Sequence, residues 1–123
     1  MHSQQFRRAV AGLCLALALP GWAAESCPLA PARIGSESAA VARAAKAIEV
    51  YRIGKLKAEC MALAANRQKG GYLIDVREIH NEACGGDPMT EPRAFSIDVA
   101  SNGAMKSDVY DHVSYQPLRC PKA

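Results

Sequence analysis

Residues 80–87 contain several side chains that can do chemistry. His80, Glu82 and Asp87 are residue types that bind divalent metals, and His80 with Cys84 could form a base and its nucleophile. A metal centre also needs groups that orient its ligands, and one histidine among scattered carboxylates does not indicate them. In an oxidising compartment Cys84 would be bridged to another cysteine and would offer no thiol. We therefore predict no metal site and no catalytic nucleophile in this stretch.

The rest of the sequence lacks the motifs of common hydrolases. It has no Gly-x-Ser-x-Gly and no His-Glu-x-x-His, and its serines are scattered among predicted caps and turns. His112 is isolated and is predicted to be a surface residue. We expect a protein that is not an enzyme and that uses no cofactor.

The segment from Asn81 to Pro92 has the composition of a long loop. Gly85-Gly86 and Asp87-Pro88 permit sharp reversals of the chain. A disulfide at Cys84 would hold the loop in one shape and would lower the entropy lost on binding. The loop is either a partner-binding surface or a plain connection between two strands. The candidate partner-binding residues are His80, Asn81, Glu82, Gly85, Gly86, Asp87, Met89, Thr90, Glu91 and Arg93.

The first 24 residues have the pattern of a secretory signal peptide. Arg7 and Arg8 precede an apolar run that is too short for a stable membrane span, and small residues follow it. Leu13 before Cys14 does not fit a lipoprotein signal, and the paired arginines lack a twin-arginine context. We predict a single exported domain over residues 25–123, without a membrane anchor, in the periplasm or secreted beyond it.

Four cysteines remain after this leader, namely Cys27, Cys60, Cys84 and Cys120. An even number in a short exported domain predicts two disulfides. Three pairings are open, and we favour Cys60 with Cys84 and Cys27 with Cys120. The first would tie a helix to the loop at a strand end, and the second would join the two ends of the domain. Zinc is not favoured, because no Cys-x-x-Cys pair is present.

The charge balance of the exported part indicates its class of partner. The chain has fifteen basic and twelve acidic residues, and the leader removes two of the basic ones. The remaining charge is therefore close to neutral, and basic and acidic residues are interleaved, which argues against nucleic acid. We expect the partner to be another exported or envelope protein, with the oligomeric state left open.

Helical spacing follows the Pro-containing segment that begins near Cys27. Ser36 or Ser38 can cap a helix over residues 39–51. Its predicted apolar face is formed by Val41, Ala44, Ala45, Ile48 and Tyr51. A second stretch with helical spacing runs to Arg67 and carries Ile53, Leu56, Cys60, Leu63 and Ala64. We expect two short helices, or one helix bent at Gly54.

Alternating patterns replace the helical ones after Gly71. The predicted core positions of three strands are Tyr72, Ile74 and Val76, then Phe95, Ile97 and Val99, then Met105, Ser107 and Val109. Asn102-Gly103 between the last two strands indicates a hairpin turn. The tail after Asp111 either adds an edge strand or wraps the sheet. We predict an α+β fold in which one or two helices pack on a three- to four-stranded antiparallel sheet.

The order of elements over residues 39–110, with the hairpin Ile97-Asp98-Val99-Ala100-Ser101-Asn102-Gly103-Ala104-Met105, resembles that of PepSY-like small exported domains. The resemblance implies a domain without catalysis of its own that inhibits or modulates a secreted hydrolase. No functional residue is carried over from it. The leading hypothesis is an inhibitor or immunity-type protein that acts on a cell-envelope hydrolase or toxin. The alternative is a small-ligand or metal-binding envelope protein, with His80, Glu82 and Asp87 as candidate ligands.

Overall fold

The computed structural model describes residues 26–122, which form one helix packed on a five-stranded antiparallel sheet. Helix α1 is Glu37–Tyr51, and a short 3-10 helix follows at Ala58–Cys60. The strands are β1 Met61–Gln68, β2 Gly71–Glu78, β3 Arg93–Ala100, β4 Met105–Ser107 and β5 Gln116–Pro117. They are hydrogen-bonded in chain order, so the sheet is a meander. The predicted α+β class is confirmed, but the sheet has five strands and not three or four.

Helix α1 begins at Ser36, whose Oγ accepts a hydrogen bond from the Ala39 amide at 3.1 Å. The residues that it buries are Ala40, Ala44, Ala47 and Tyr51. Three of these four are alanines, which have no side chain beyond Cβ, and so the helix backbone can lie close to the larger residues of the sheet. The predicted face is therefore rotated: Val41 and Ile48 are only half-buried, and Ala45 is exposed.

The predicted second helix is wrong. Strand β1 occupies Met61–Gln68 and pairs antiparallel with β2 across a turn at Lys69 and Gly70. Met61, Leu63 and Ala65 are half-buried and alternate with exposed neighbours, which is the period of a strand. Pairing with β2 satisfies the hydrogen-bonding groups on one edge of β1. This tertiary contact selects the strand over the helix that the spacing of apolar residues predicts.

The core lies between α1 and the inner face of the sheet. Ile74, Val76, Ile97 and Val99 are fully buried, and Ile74 stands opposite Ile97 in the register of β2 and β3. The predicted hairpin at Asn102-Gly103 is confirmed, although β4 ends at Ser107 and Val109 lies beyond it. The tail adds the two-residue edge strand β5, as one of the two predictions had it.

Two disulfides crosslink this fold, one between its two ends and one between the start of the sheet and the loop after β2. Cys27 is bonded to Cys120 and Cys60 is bonded to Cys84, which is the favoured pairing. These bonds are consistent with an oxidising, extracytoplasmic compartment. The predicted leader lies outside the described residues. Within residues 26–122, no helix is long and apolar enough to cross a membrane.

Candidate functional site

The predicted loop joins β2 to β3 over residues 79–92, and its two ends are held together. The Glu78 amide donates to the carbonyl oxygen of Pro92 at 2.9 Å. Arg77 donates from Nη1 to the carbonyl oxygen of Glu91 at 3.0 Å. The loop therefore leaves the sheet and returns to it through one narrow neck.

The first half of the loop is fixed by the disulfide at Cys84. Asn81 closes the turn before it, because its Oδ1 accepts from the Cys84 amide and its carbonyl oxygen accepts from the Gly85 amide, both at 2.7 Å. Cys60 is buried at the start of β1, so the disulfide ties this turn to the body of the sheet. The bonded sulfur of Cys84 has no thiol for nucleophilic chemistry.

His80 lies at the centre of the second half of the loop. Its Nδ1 is 2.9 Å from the carbonyl oxygen of Asp87, and its Nε2 is 2.8 Å from Oε1 of Glu78. Gly86 lies directly against the ring: a Cβ there would be 2.6 Å from ring carbons, and the φ of +81° also favours glycine. The side chain of His80 is only 13 % exposed. His80 therefore organises the loop from within and is not presented to solvent.

The two acceptors around His80 favour its charged form. A carbonyl and a carboxylate can only accept, so both ring nitrogens donate when the ring is an imidazolium. The hydrogen bond to Glu78, followed by the one to the Asp87 carbonyl, raises the pKa of His80 above its ordinary 6.5, and desolvation opposes this only in part. The loop is thus braced most completely at mildly acidic pH.

The crest of the loop is a tight turn that exposes Met89. Oδ1 of Asp87 accepts from the Met89 amide at 2.9 Å, and the Asp87 carbonyl accepts from the Thr90 amide at 3.0 Å. With these bonds made inside the turn, the Met89 side chain is left 87 % exposed. Glu82 and Glu91 are exposed on either side of the crest. Met89 is therefore the one large apolar side chain that the loop exposes, and carboxylates flank it.

Arg93, predicted as part of the loop surface, lies instead at the first position of β3. Its Nη1 donates to Oδ2 of Asp108 at 3.0 Å and to Ser96 Oγ at 2.9 Å. Burial raises the pKa of Asp108, but the bonds from the Ser96 amide and from Arg93 outweigh it, and the net shift is downward. The side chain of Arg93 is still 42 % exposed, so part of it faces solvent.

The three candidate metal ligands are not brought together. His80 contacts the backbone of Asp87 and not its carboxylate, which bonds the turn. Over residues 26–122, no group of three or more His, Cys, Asp and Glu side chains could hold a metal ion.

A cleft of about 880 Å³ lies at the base of the loop and was not predicted. Glu78 and Arg93, which flank the loop in the sequence, both line it. Its other charged lining residues are Arg52, Lys55, Arg119 and Lys122, with His112 beside them. These residues come from five separate parts of the chain, and no local sequence pattern could have indicated that they meet.

Comparison of the chain with protein-family models, with curated proteins and with solved structures finds no match.

Proposed function

We propose that this chain is an exported protein-binding module without catalysis of its own, an inhibitor or immunity-type protein that acts on a cell-envelope hydrolase or toxin in the periplasm. The observation that carries the proposal is the bracing of loop 79–92. Its neck, its first turn and its crest are each held by bonds inside the protein, while Met89 at the crest is 87 % exposed. A loop that is already ordered loses little entropy when a partner covers it.

The composition of the crest suits a protein surface. An exposed methionine is a flexible apolar anchor, and the exposed Glu82 and Glu91 beside it add polar contacts at the rim. The two disulfides support an exported location, and the resemblance of residues 39–110 to PepSY-like domains supports a modulator of a secreted enzyme.

The test is affinity capture from an envelope extract with the oxidised protein as bait. Met89→Asp is compared with Val113→Asp, because Val113 is 83 % exposed in the loop between β4 and β5 and makes a matched control. We expect a partner that the wild type and Val113→Asp retain and that Met89→Asp loses, while all three proteins melt at the same temperature. Asp87→Ala is a weaker test, because its carboxylate also shapes the crest.

Two results would overturn the proposal. One is the absence of any retained protein that depends on Met89. The other is equal loss of the partner in the Val113→Asp control, which would show that capture responds to any added surface charge.

A further inference from the structure

The cleft at the base of the loop, here called the basic cleft, concentrates positive charge. Five cationic side chains line it, namely Arg52, Lys55, Arg93, Arg119 and Lys122, and among its described lining residues Glu78 is the only carboxylate. Over the whole chain the excess of basic residues is small, fifteen against twelve. The ion pair with Asp108 offsets the charge of Arg93, but the other four cations still outnumber the one carboxylate of the lining, so the cleft favours an anion.

The floor of the basic cleft is apolar. Phe95 and Ile53 lie buried at its base, and the half-buried Leu56, Val109 and Tyr110 line it with apolar surface that a ligand can contact. The guanidinium of Arg119 lies over the Tyr110 ring, 4.2 Å from its centroid, which keeps this arginine at the rim. The cleft therefore offers apolar contact below and cations around, a combination that fits a chain with alternating acidic and apolar side chains.

Backbone geometry singles out the same place. Among the described residues, the non-glycine residues with positive φ are Arg52 at 53° and His112 at 62°. Both line the basic cleft. Arg52 directly follows α1, at a position where the left-handed backbone favours glycine. An arginine there costs conformational free energy, and a requirement for its positive charge at the cleft would explain why it is present.

The basic cleft is also continuous with the loop. Glu78 and Arg93 stand at the two ends of loop 79–92 and belong to the lining of the cleft. A protein that covers the crest of the loop is therefore placed to lay an adjoining segment into the cleft. Glu78 accepts from His80 at 2.8 Å, so the one carboxylate of the lining is itself engaged.

Resting on the function proposed above, we propose that the basic cleft binds an acidic, partly apolar segment of the same partner protein. Nucleic acid fits less well, because the guanidinium of Arg119 already lies over the ring of Tyr110, 4.2 Å from its centroid, where a base would have to stack. The acidic loop beside the cleft, with Glu82, Asp87 and Glu91, would also repel a polyanion that extends past it.

The test uses a defined probe, a fluorescent synthetic peptide in which Glu alternates with Leu, and its counterpart in which Gln replaces Glu. We expect the Glu peptide to bind the oxidised protein more tightly than the Gln peptide, with an affinity that falls as salt is added. Arg52→Glu with Lys55→Glu should weaken binding at least about tenfold. Lys69→Glu, in the turn between β1 and β2, is the control with the same type of charge change and should bind as the wild type does.

Lys122→Glu is a second variant that lies beyond the last strand and outside the core, so it keeps the test valid if the double variant folds poorly. Equal weakening by Lys69→Glu, equal affinity for the Gln peptide, or tighter binding of single-stranded DNA would each overturn the inference. The capture assay separates the two proposals. If Arg52→Glu with Lys55→Glu still retains the Met89-dependent partner, the cleft inference fails and the proposed function stands. If the peptide binds as expected but no partner depends on Met89, the proposed function fails.

Discussion

Removing the two disulfides one at a time tests how this small fold is stabilised. A crosslink lowers the entropy of the unfolded chain by an amount that grows with the loop that it closes. Cys27 and Cys120 are 93 residues apart, and Cys60 and Cys84 are 24 apart. The chain-entropy relation then gives a loss of about 4.7 kcal/mol in the free energy of unfolding for the first bond and about 3.4 kcal/mol for the second. The total free energy of unfolding of a folded domain is about 5 to 15 kcal/mol, so either loss is a large part of it.

The assay is urea unfolding of Cys27→Ala with Cys120→Ala and of Cys60→Ala with Cys84→Ala. Cys60 is buried, so replacing it with alanine also removes packing contacts. This loss adds to the effect of removing the Cys60–Cys84 bond, and it narrows the difference in the free energy of unfolding between the two variants. The m-value separates these effects, because it reports the surface exposed on unfolding. It should rise more when the longer crosslink is removed. The reasoning is refuted if the m-value of the Cys27→Ala with Cys120→Ala variant does not exceed both that of the wild type and that of the other variant.

Three further predictions concern single side chains. Gly103→Ala should lower the free energy of unfolding by about 2 to 3 kcal/mol, because its Cβ would lie 2.7 Å from the carbonyl oxygen of Ala32 and its φ is +89°. Gly70→Ala is the control, with φ +85° and open space around the added Cβ, and should cost only about 1 kcal/mol. Equal losses for the two variants in urea unfolding would rule out the clash. His80→Gln should lower the free energy of unfolding more at pH 5.5 than at pH 8.5. The pKa of His80 is raised in the folded state, so its stabilising effect is present below its ordinary pKa and is lost as the pH rises through the raised pKa. A loss of stability that does not vary between these pH values would contradict the bond to Glu78. Arg52→Gly should stabilise the fold by about 1 kcal/mol by relieving the left-handed backbone and should weaken binding of the Glu peptide, whereas Arg52→Ala should weaken binding without the gain.

The error at β1 shows which information a single sequence lacks. Ile53, Leu56 and Leu63 have helical spacing, while Met61, Leu63 and Ala65 have the spacing of a strand, and both patterns are present in one alanine-rich stretch. The choice between helix and strand depends on β2, which buries its inner face and has a free edge. The turn at Lys69 and Gly70 places β1 at this edge, where the two strands pair. The strands β2 and β3 were predictable because each buries one face and shows only one period.

The candidate site divides in the same way. The loop was predictable because Gly85-Gly86 and Asp87-Pro88 are local signals, and the disulfides were predictable from cysteine number and predicted compartment. The role of His80 was not, since it depends on the bond from its ring to Glu78 and on the absence of a side chain at Gly86. The basic cleft was hidden for a further reason. Its residues are far apart in the chain, and Arg119 and Lys122 meet Arg52 and Lys55 only in the folded structure.

The loop and the basic cleft carry opposite charges side by side. Glu82, Asp87 and Glu91 lie on the loop, and the cations of the cleft lie at its base. On our proposals, a partner must then present a less acidic surface to the crest and an acidic segment to the cleft, and it can do so in one orientation only. Reversing it would set the acidic segment against the carboxylates of the loop and leave the cations of the cleft without an acidic partner, and both effects disfavour wrong partners. The acidic loop and the basic cleft together would let a chain of nearly balanced net charge discriminate among partner proteins. The net charge does not show this, because it is a sum and the opposite charges lie at separate places on the surface.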